Sequence, residues 1–120
     1  MRYMLLIYGD EQAWAKMPEG EKQKVFREHV EFTQSIRDSG AYRAGDPLQP
    51  TGTAATVRIR DGKTYRTDGP FAETKEQLGG YYIVEAATAE EAIAMAARIP
   101  SARVGRSIEV RPIMELPPPR

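Results

Sequence analysis

The chain has 120 residues with 17 basic and 17 acidic side chains, so its formal net charge is zero. Balanced charge without a basic stripe argues against a nucleic-acid partner. The absence of cysteine excludes disulfides, thiolate nucleophiles and cysteine-ligated zinc, and the single histidine cannot by itself supply a His-rich metal site. We therefore expect one domain with one core and no metal or organic cofactor.

The two ends of the chain bound that domain. The apolar run Met1–Tyr8 stops at Gly9-Asp10-Glu11. This run is too short for a signal peptide or a membrane span, which favours a cytoplasmic protein. The last residues, Leu116-Pro117-Pro118-Pro119-Arg120, can form neither a helix nor an inner strand. We predict a single domain over residues 1–115 and a proline-rich tail over 116–120.

The first half of that domain reads as a strand followed by two helices. Residues 3–8 are apolar at odd and even positions, which indicates a strand covered on both faces. Asp10 can cap a helical turn through Lys16, and a longer helix follows from Pro18 to Ser39-Gly40. The apolar stripe of that helix contains Val25, His29, Phe32 and Ile36. The spacing therefore turns His29 toward the sheet.

A β-hairpin follows a second strand, which we predict over residues 41–48. Residues 55–60 alternate with period two, and Asp61-Gly62 is a preferred two-residue turn into residues 63–67. In this register Asp68 shares a face with Val57 and Ile59. We therefore expect the carboxylate of Asp68 to point inward at the end of the hairpin.

The second half supplies another strand, a helix and a last strand. Asp68-Gly69-Pro70-Phe71 has the composition of a turn, and residues 78–86 form a strand that is apolar on both faces. Thr88 and Glu91 fit a capping box for a helix through Ile99, and a strand follows over residues 107–114.

This order predicts an α+β protein with a ferredoxin-like βαββαβ pattern and an inserted β-hairpin. Two helices can cover only one face of the sheet, yet two strands are apolar on both faces. A symmetric homodimer would cover the second face with an identical sheet.

The sequence also resembles the YCII-related family, in the branch named for the DGPF motif. The resemblance covers nearly the whole chain and rests on three runs, 1–10, 68–82 and 108–112, of which the central one begins Asp68-Gly69-Pro70-Phe71. It implies a dimeric α+β barrel built from ferredoxin-like protomers. Members of this branch are often encoded near extracytoplasmic-function sigma factors, which implies a regulatory link.

In the wider family, a histidine on the first long helix and an aspartate after the first strand are suspected to form a catalytic pair. The matching positions here are His29 and Asp10. From the residues alone, Asp68 is the preferred partner because the hairpin register points it inward, and Asp10 is the second candidate because it follows the central strand. The alternative is a half-buried histidine bonded to a backbone carbonyl, with no role in chemistry.

Four further residues are candidates for substrate binding. Gly69 and Phe71 could form a rigid loop with an apolar wall. The alternative is a turn that caps the hairpin and plugs the core with Phe71, and it is favoured for Gly69, whose role is conformational. Tyr81 and Tyr82 point to opposite faces, and one of them should line a cavity on the helix side; Tyr82 is our candidate. Trp14 could stack on a flat ligand, whereas core packing is the alternative.

Three functions remain open at this point. The first is an enzyme that acts by acid–base chemistry on a small cyclic or aromatic molecule without a cofactor, using His29 with Asp68 or Asp10. The second is a non-catalytic ligand-binding or regulatory dimer that partners a sigma factor. The third is a structural dimer without a small-molecule site. The first function requires an open cavity that holds His29 with a carboxylate within hydrogen-bond reach, and a histidine sealed against the backbone without a cavity would exclude it.

Overall fold

A computed structural model describes residues 1–119 of the chain. These residues form six strands and three α-helices, with short 3₁₀ turns at Thr51–Thr53 and Pro100–Val104. In chain order the elements are β1 (Arg2–Gly9), α1 (Glu11–Lys16), α2 (Glu19–Asp38), β2 (Tyr42–Pro47), β3 (Ala55–Arg60), β4 (Lys63–Asp68), β5 (Gln77–Glu85), α3 (Ala89–Ala97) and β6 (Ser107–Pro112). Every predicted element is present, with ends that differ by at most a few residues.

The helices begin and end at the residues whose chemistry favours those positions. Asp10 caps α1 by accepting hydrogen bonds from the amides of Gln12 and Ala13. Thr88 caps α3 through a bond from the Glu91 amide, as predicted. Helix α2 ends at Ser39 and is followed by Gly40 with φ +82°, a left-handed conformation that glycine adopts without strain.

The main sheet has four antiparallel strands in the order β2-β5-β1-β6. The central strand β1 pairs with β5 on one side and β6 on the other, so that Leu5 lies opposite both Tyr82 and Val110. This order is compatible with a ferredoxin-like α+β fold, because the two strands next in space to β1 come from the second half of the chain.

The core lies between the sheet and the two longer helices. Alternate residues of β1 are buried, and Leu5 and Val84 are completely excluded from solvent. Phe32 and Ile36 of α2 and Ala92 and Ala96 of α3 pack on this face. The pattern follows from the period of two in a strand and of 3.6 in a helix.

The opposite face of the sheet has no helix over it in the described residues. Met4 and Leu6 of β1 and Ile83 of β5 are only partly buried, although all three are apolar. Register places Met4 directly opposite Ile83 and Leu6 opposite Tyr81, so these side chains form one continuous surface. We call this surface the open face.

The hairpin β3–β4 forms a separate two-stranded sheet. Its register is as predicted, with Arg60 opposite Lys63 and Asp68 at the end of the face that holds Val57 and Ile59. That face nevertheless does not point inward, since Val57 and Ile59 are 61% and 71% exposed. The hairpin therefore projects from the main sheet, and the molecule is flat, with extents of 49 × 48 × 19 Å.

After β6, residues 113–119 have no regular secondary structure. An ion pair between Arg2 and Glu115 holds the start of this segment against β1. The predicted tail 116–120 is described as far as Pro119, and Arg120 lies outside the described residues. Across residues 1–119, no helix combines the length and the apolar character needed to cross a membrane.

Candidate functional site

A cleft of about 860 Å³ opens between α2 and the β2–β5 side of the main sheet. Its apolar walls include Val25, Phe26 and Val30 from α2 and Leu48 after β2. Its polar groups come from four different segments of the chain and include His29, Tyr82, Ser101 and Arg106. An apolar cleft with a few convergent polar groups is the usual form of a small-molecule site.

His29 lies inside this cleft and is hydrogen-bonded on both ring nitrogens. Its Nε2 is 2.7 Å from Ser101 Oγ, and its Nδ1 is 3.1 Å from the Tyr82 hydroxyl. Each partner is a hydroxyl, which can donate or accept. The imidazole can therefore adopt either neutral tautomer without moving, provided that the two hydroxyls rotate.

Tyr82 extends this network into α2. Its hydroxyl is 3.1 Å from Thr33 Oγ1, and its ring lies nearly parallel to the His29 ring, with centroids 6.3 Å apart. On its other side the ring meets Phe32 edge to face at 5.3 Å. These contacts fix the phenol, so that Thr33, Tyr82, His29 and Ser101 form one continuous chain of polar groups.

Ser101 reaches His29 because of the turn after α3. Helix α3 ends at Ala97, Pro100 begins the Pro100–Val104 turn, and Ser101 is left only 4% exposed. An ion pair between Arg103 of this turn and Glu28 ties the turn to α2 beside His29. The position of Ser101 is therefore set by the backbone of this turn, and the ion pair holds the turn against α2.

The surroundings of His29 favour its neutral form. Burial is the main cause that lowers the pKa of His29 below its ordinary value of 6.5, and the positive charge of Arg106 lowers it further, whereas Glu28 acts in the opposite direction. Burial also raises the pKa of the Tyr82 phenol. At neutral pH the network therefore contains a neutral imidazole and a protonated phenol.

Arg106 enters the cleft from the residue before β6. Its guanidinium carbon lies 4.8 Å from the centroid of the Trp14 ring, and Trp14 meets Phe26 edge to face at 5.8 Å. Trp14 therefore lines a wall of the cleft and also covers the half-buried guanidinium of Arg106.

The two predicted carboxylate partners do not meet His29. The carboxylate of Asp10 is occupied by the backbone amides at the start of α1. The side chain of Asp68 is 86% exposed and pairs with Arg66 on the hairpin. The inward orientation predicted for Asp68 is wrong because strand register fixes which residues share a face but not what that face contacts.

Gly69 and Phe71 also lie away from the cleft. Gly69 has φ +102°, and its amide donates to the Ala54 carbonyl, so it shapes the end of the hairpin. Phe71 is 77% exposed, which contradicts both the apolar wall and the core plug in this single chain. Of the two tyrosines, Tyr82 faces the helices, whereas Tyr81 donates a hydrogen bond to Asp46.

Sequence reasoning missed Ser101, Thr33 and Arg106. Alternation along the last strand could have identified Arg106. It is an even number of residues from Ile108 and Val110, which pack against the core, so its side chain is expected on the same face. No comparable pattern marks Ser101, since its position depends on the path of a 3₁₀ turn. In residues 1–119, no group of three or more potential ligands is arranged to hold a metal ion.

Comparison with known proteins agrees with this architecture. A sequence model of a protein family, described as the YCII-related domain, matches residues 1–117. The chain is also 37% identical over 114 residues to a protein of Rhizobium meliloti (strain 1021) named "Uncharacterized protein R00369", and the match covers 94% of this chain and 92% of that protein. The chain therefore belongs to the YCII-related family.

Proposed function

We propose that the cleft binds a small cyclic or aromatic organic molecule and that His29 transfers protons to and from it. The observation that supports this most directly is an imidazole, hydrogen-bonded to Ser101 at 2.7 Å, inside an open cleft of about 860 Å³. A general base must be unprotonated and within reach of the ligand, and a lowered histidine pKa in an accessible cleft meets both needs.

The proposed proton transfer uses groups of this chain. The imidazole accepts a proton from an acidic C–H or O–H of the ligand, either directly or through the Ser101 hydroxyl that lines the cleft. When His29 is protonated, its Nδ1–H can donate to the Tyr82 hydroxyl oxygen. The Tyr82 hydroxyl can at the same time donate its own hydrogen to Thr33. The proton then returns to the ligand at another atom, which describes an isomerase, whereas return to the same atom gives hydrogen exchange without a new product.

The experiment for this proposal measures deuterium exchange, which does not require knowledge of the natural product. The protein is incubated in D₂O with a panel of small cyclic ketones, lactones and phenols, and NMR follows the loss of ligand C–H signals. We expect accelerated exchange in at least one panel member. Tight binding of panel members without any acceleration would contradict the catalytic proposal.

A non-catalytic ligand-binding protein is the second candidate, and one observation favours it. Both ring nitrogens of His29 already have hydroxyl partners, and within residues 1–119 no carboxylate is bonded to the ring to stabilise its charged form. In the regulatory version of this candidate, a sigma factor is the partner. That complex should survive a His29→Gln substitution, whereas exchange catalysis should not.

We further propose that two copies pair through the open face to form a dimeric α+β barrel. The support is the apolar surface that Met4, Leu6 and Ile83 form on adjacent strands, with no helix over it in the described residues. The run Asp68-Gly69-Pro70-Phe71 supports placing the chain in the DGPF-motif branch.

Replacing Ile83 with glutamate should convert the dimer to a monomer, since the interface would bury an unpaired charge. The matched control is Ile93→Glu, because Ile93 lies on α3 and is already 54% exposed. Light scattering after size exclusion should give a dimer mass for the wild type and the control. A monomer mass for the wild type at micromolar concentration would refute the dimer.

A further inference from the structure

Arg106 lines the cleft without a partner for its charge. In the part of the chain that the structure describes, no carboxylate lies within ion-pair distance of the guanidinium, and no side-chain hydrogen bond involves it. The side chain is half-buried. Burial lowers the pKa of Arg106 and the nearby charge of Glu11 acts in the opposite direction, and the arginine stays protonated at any physiological pH. A half-buried, unpaired cation is costly unless something compensates it.

The backbone beneath Arg106 is shaped to receive it. A Cβ on Gly9 would lie 2.7 Å from Arg106 Cγ, and a Cβ on Gly79 would lie 3.1 Å from one of its terminal nitrogens. Both glycines belong to adjacent strands of the main sheet, and Trp14 covers the guanidinium. Arg106 therefore occupies a defined groove, unlike a surface arginine that extends into solvent.

The nearest acidic groups are committed to other partners. Both carboxylate oxygens of Glu11 accept hydrogen bonds from Thr51, at 2.8 Å from its amide and 2.9 Å from its hydroxyl. The carboxylate of Asp46 accepts the Tyr81 hydroxyl at 3.0 Å. These bonds hold Glu11 beside Thr51 and Asp46 beside Tyr81, and neither carboxylate forms an ion pair with Arg106.

We propose that Arg106 binds the carboxylate of the ligand, so that the ligand class of this cleft is a small cyclic or aromatic carboxylic acid. This inference deepens the proposed function, on which it rests for the reacting end of the ligand. One arginine offers a planar pair of donors that matches one carboxylate. The apolar walls formed by Val25, Phe26 and Val30 suit the ring of such an acid.

The charge on Arg106 also lowers the pKa of His29, which links the two ends of the cleft. A bound carboxylate would compensate that charge and make it easier for His29 to accept a proton. Binding of the acid would therefore raise the basicity of His29 at the moment when a proton is to be taken from the ligand.

The test compares acids with their neutral amides. Benzoate and cyclohexanecarboxylate are titrated into the protein alongside benzamide and cyclohexanecarboxamide, and the fluorescence of Trp14, the sole tryptophan, reports binding. We expect the wild type to prefer each acid over its amide by about tenfold or more, because hydrogen bonds to charged groups are stronger than neutral ones. The preference should decrease as salt is added.

Three variants complete the test. Arg106→Gln should abolish the preference for acids, and Arg106→Lys should retain part of it because the charge remains but the planar fork is lost. Arg27→Gln is the matched control, since it removes the same charge from an exposed position of α2. Thermal melts of all variants establish that the fold is kept.

Equal affinity of the wild type for acids and amides, or no binding of either, would overturn the anion site. A preference that persists in Arg106→Gln would overturn it as well. Deuterium exchange that depends on His29 in a neutral panel member, together with equal affinities here, would refute only the acid specificity. Acid binding that depends on Arg106 without any exchange would instead refute the catalytic proposal and leave the anion site standing.

Discussion

Replacing His29 with glutamine is expected to reduce the protein-catalysed deuterium exchange by about 10²–10⁴-fold, the usual contribution of a positioned acid–base group. Glutamine can still hydrogen-bond to Ser101 and Tyr82, so the variant should fold, but it cannot accept a proton from a ligand near neutral pH. The exchange rate is measured by NMR at equal occupancy of the cleft.

The matched control for this variant is Glu31→Gln, because Glu31 lies on the same helix and is exposed. It should leave the rate unchanged within about twofold. The wild-type rate should rise with pH through the pKa of His29 and become constant above it, since only the neutral imidazole acts as a base. As that pKa is lowered, the rate should reach half of its maximum below pH 6.5. An unchanged rate in His29→Gln would exclude His29 as the base.

Replacing Gly45 with alanine is expected to destabilise the protein by about 1–3 kcal/mol, the usual range for overpacking. A Cβ at this position of β2 would lie 2.7 Å from Tyr82 Cδ1 and 3.2 Å from the Tyr81 carbonyl oxygen. Because the carbonyl belongs to the paired strand, the ring of Tyr82 must move, and its hydrogen bonds to His29 and Thr33 should weaken.

Urea unfolding measures the loss of stability, and binding of benzoate measures how the displaced Tyr82 ring affects the cleft. Gly20→Ala is the control, because nothing lies within 4 Å of a Cβ added there at the start of α2. Alanine at position 20 should change the free energy of unfolding by less than about 1 kcal/mol, and in the stabilising direction. Equal stability of Gly45→Ala and the wild type would show that Tyr82 is not fixed as described.

The fold was largely predictable because its signals are local. Periodicity located every strand and helix, and capping chemistry at Asp10 and Thr88 set the starts of α1 and α3. The register of the hairpin followed from its two-residue turn. Each of these features depends on residues close together in sequence, so a single chain contains enough information to find them.

The site was only partly predictable because its contacts are distant in sequence. His29 faces the sheet as its stripe predicted, but its partners Tyr82 and Ser101 are 53 and 72 residues away. The sequence favoured a carboxylate partner, and the structure gives two hydroxyls. Asp68 lies on the predicted face of its strand, but that face is exposed. A strand pattern shows which residues share a face and does not show which part of the molecule that face contacts.

The measurement that tests the central claim most directly is an NMR titration of His29, which is the only histidine and gives a single imidazole C2–H signal. We predict a pKa below 6.5 in the free protein, a higher pKa in Arg106→Gln, and a higher pKa when benzoate is bound, because burial and the charge of Arg106 both disfavour the imidazolium. A His29 pKa at or above 6.5 that responds to neither Arg106→Gln nor benzoate would contradict a neutral proton-transfer group coupled to a carboxylate site.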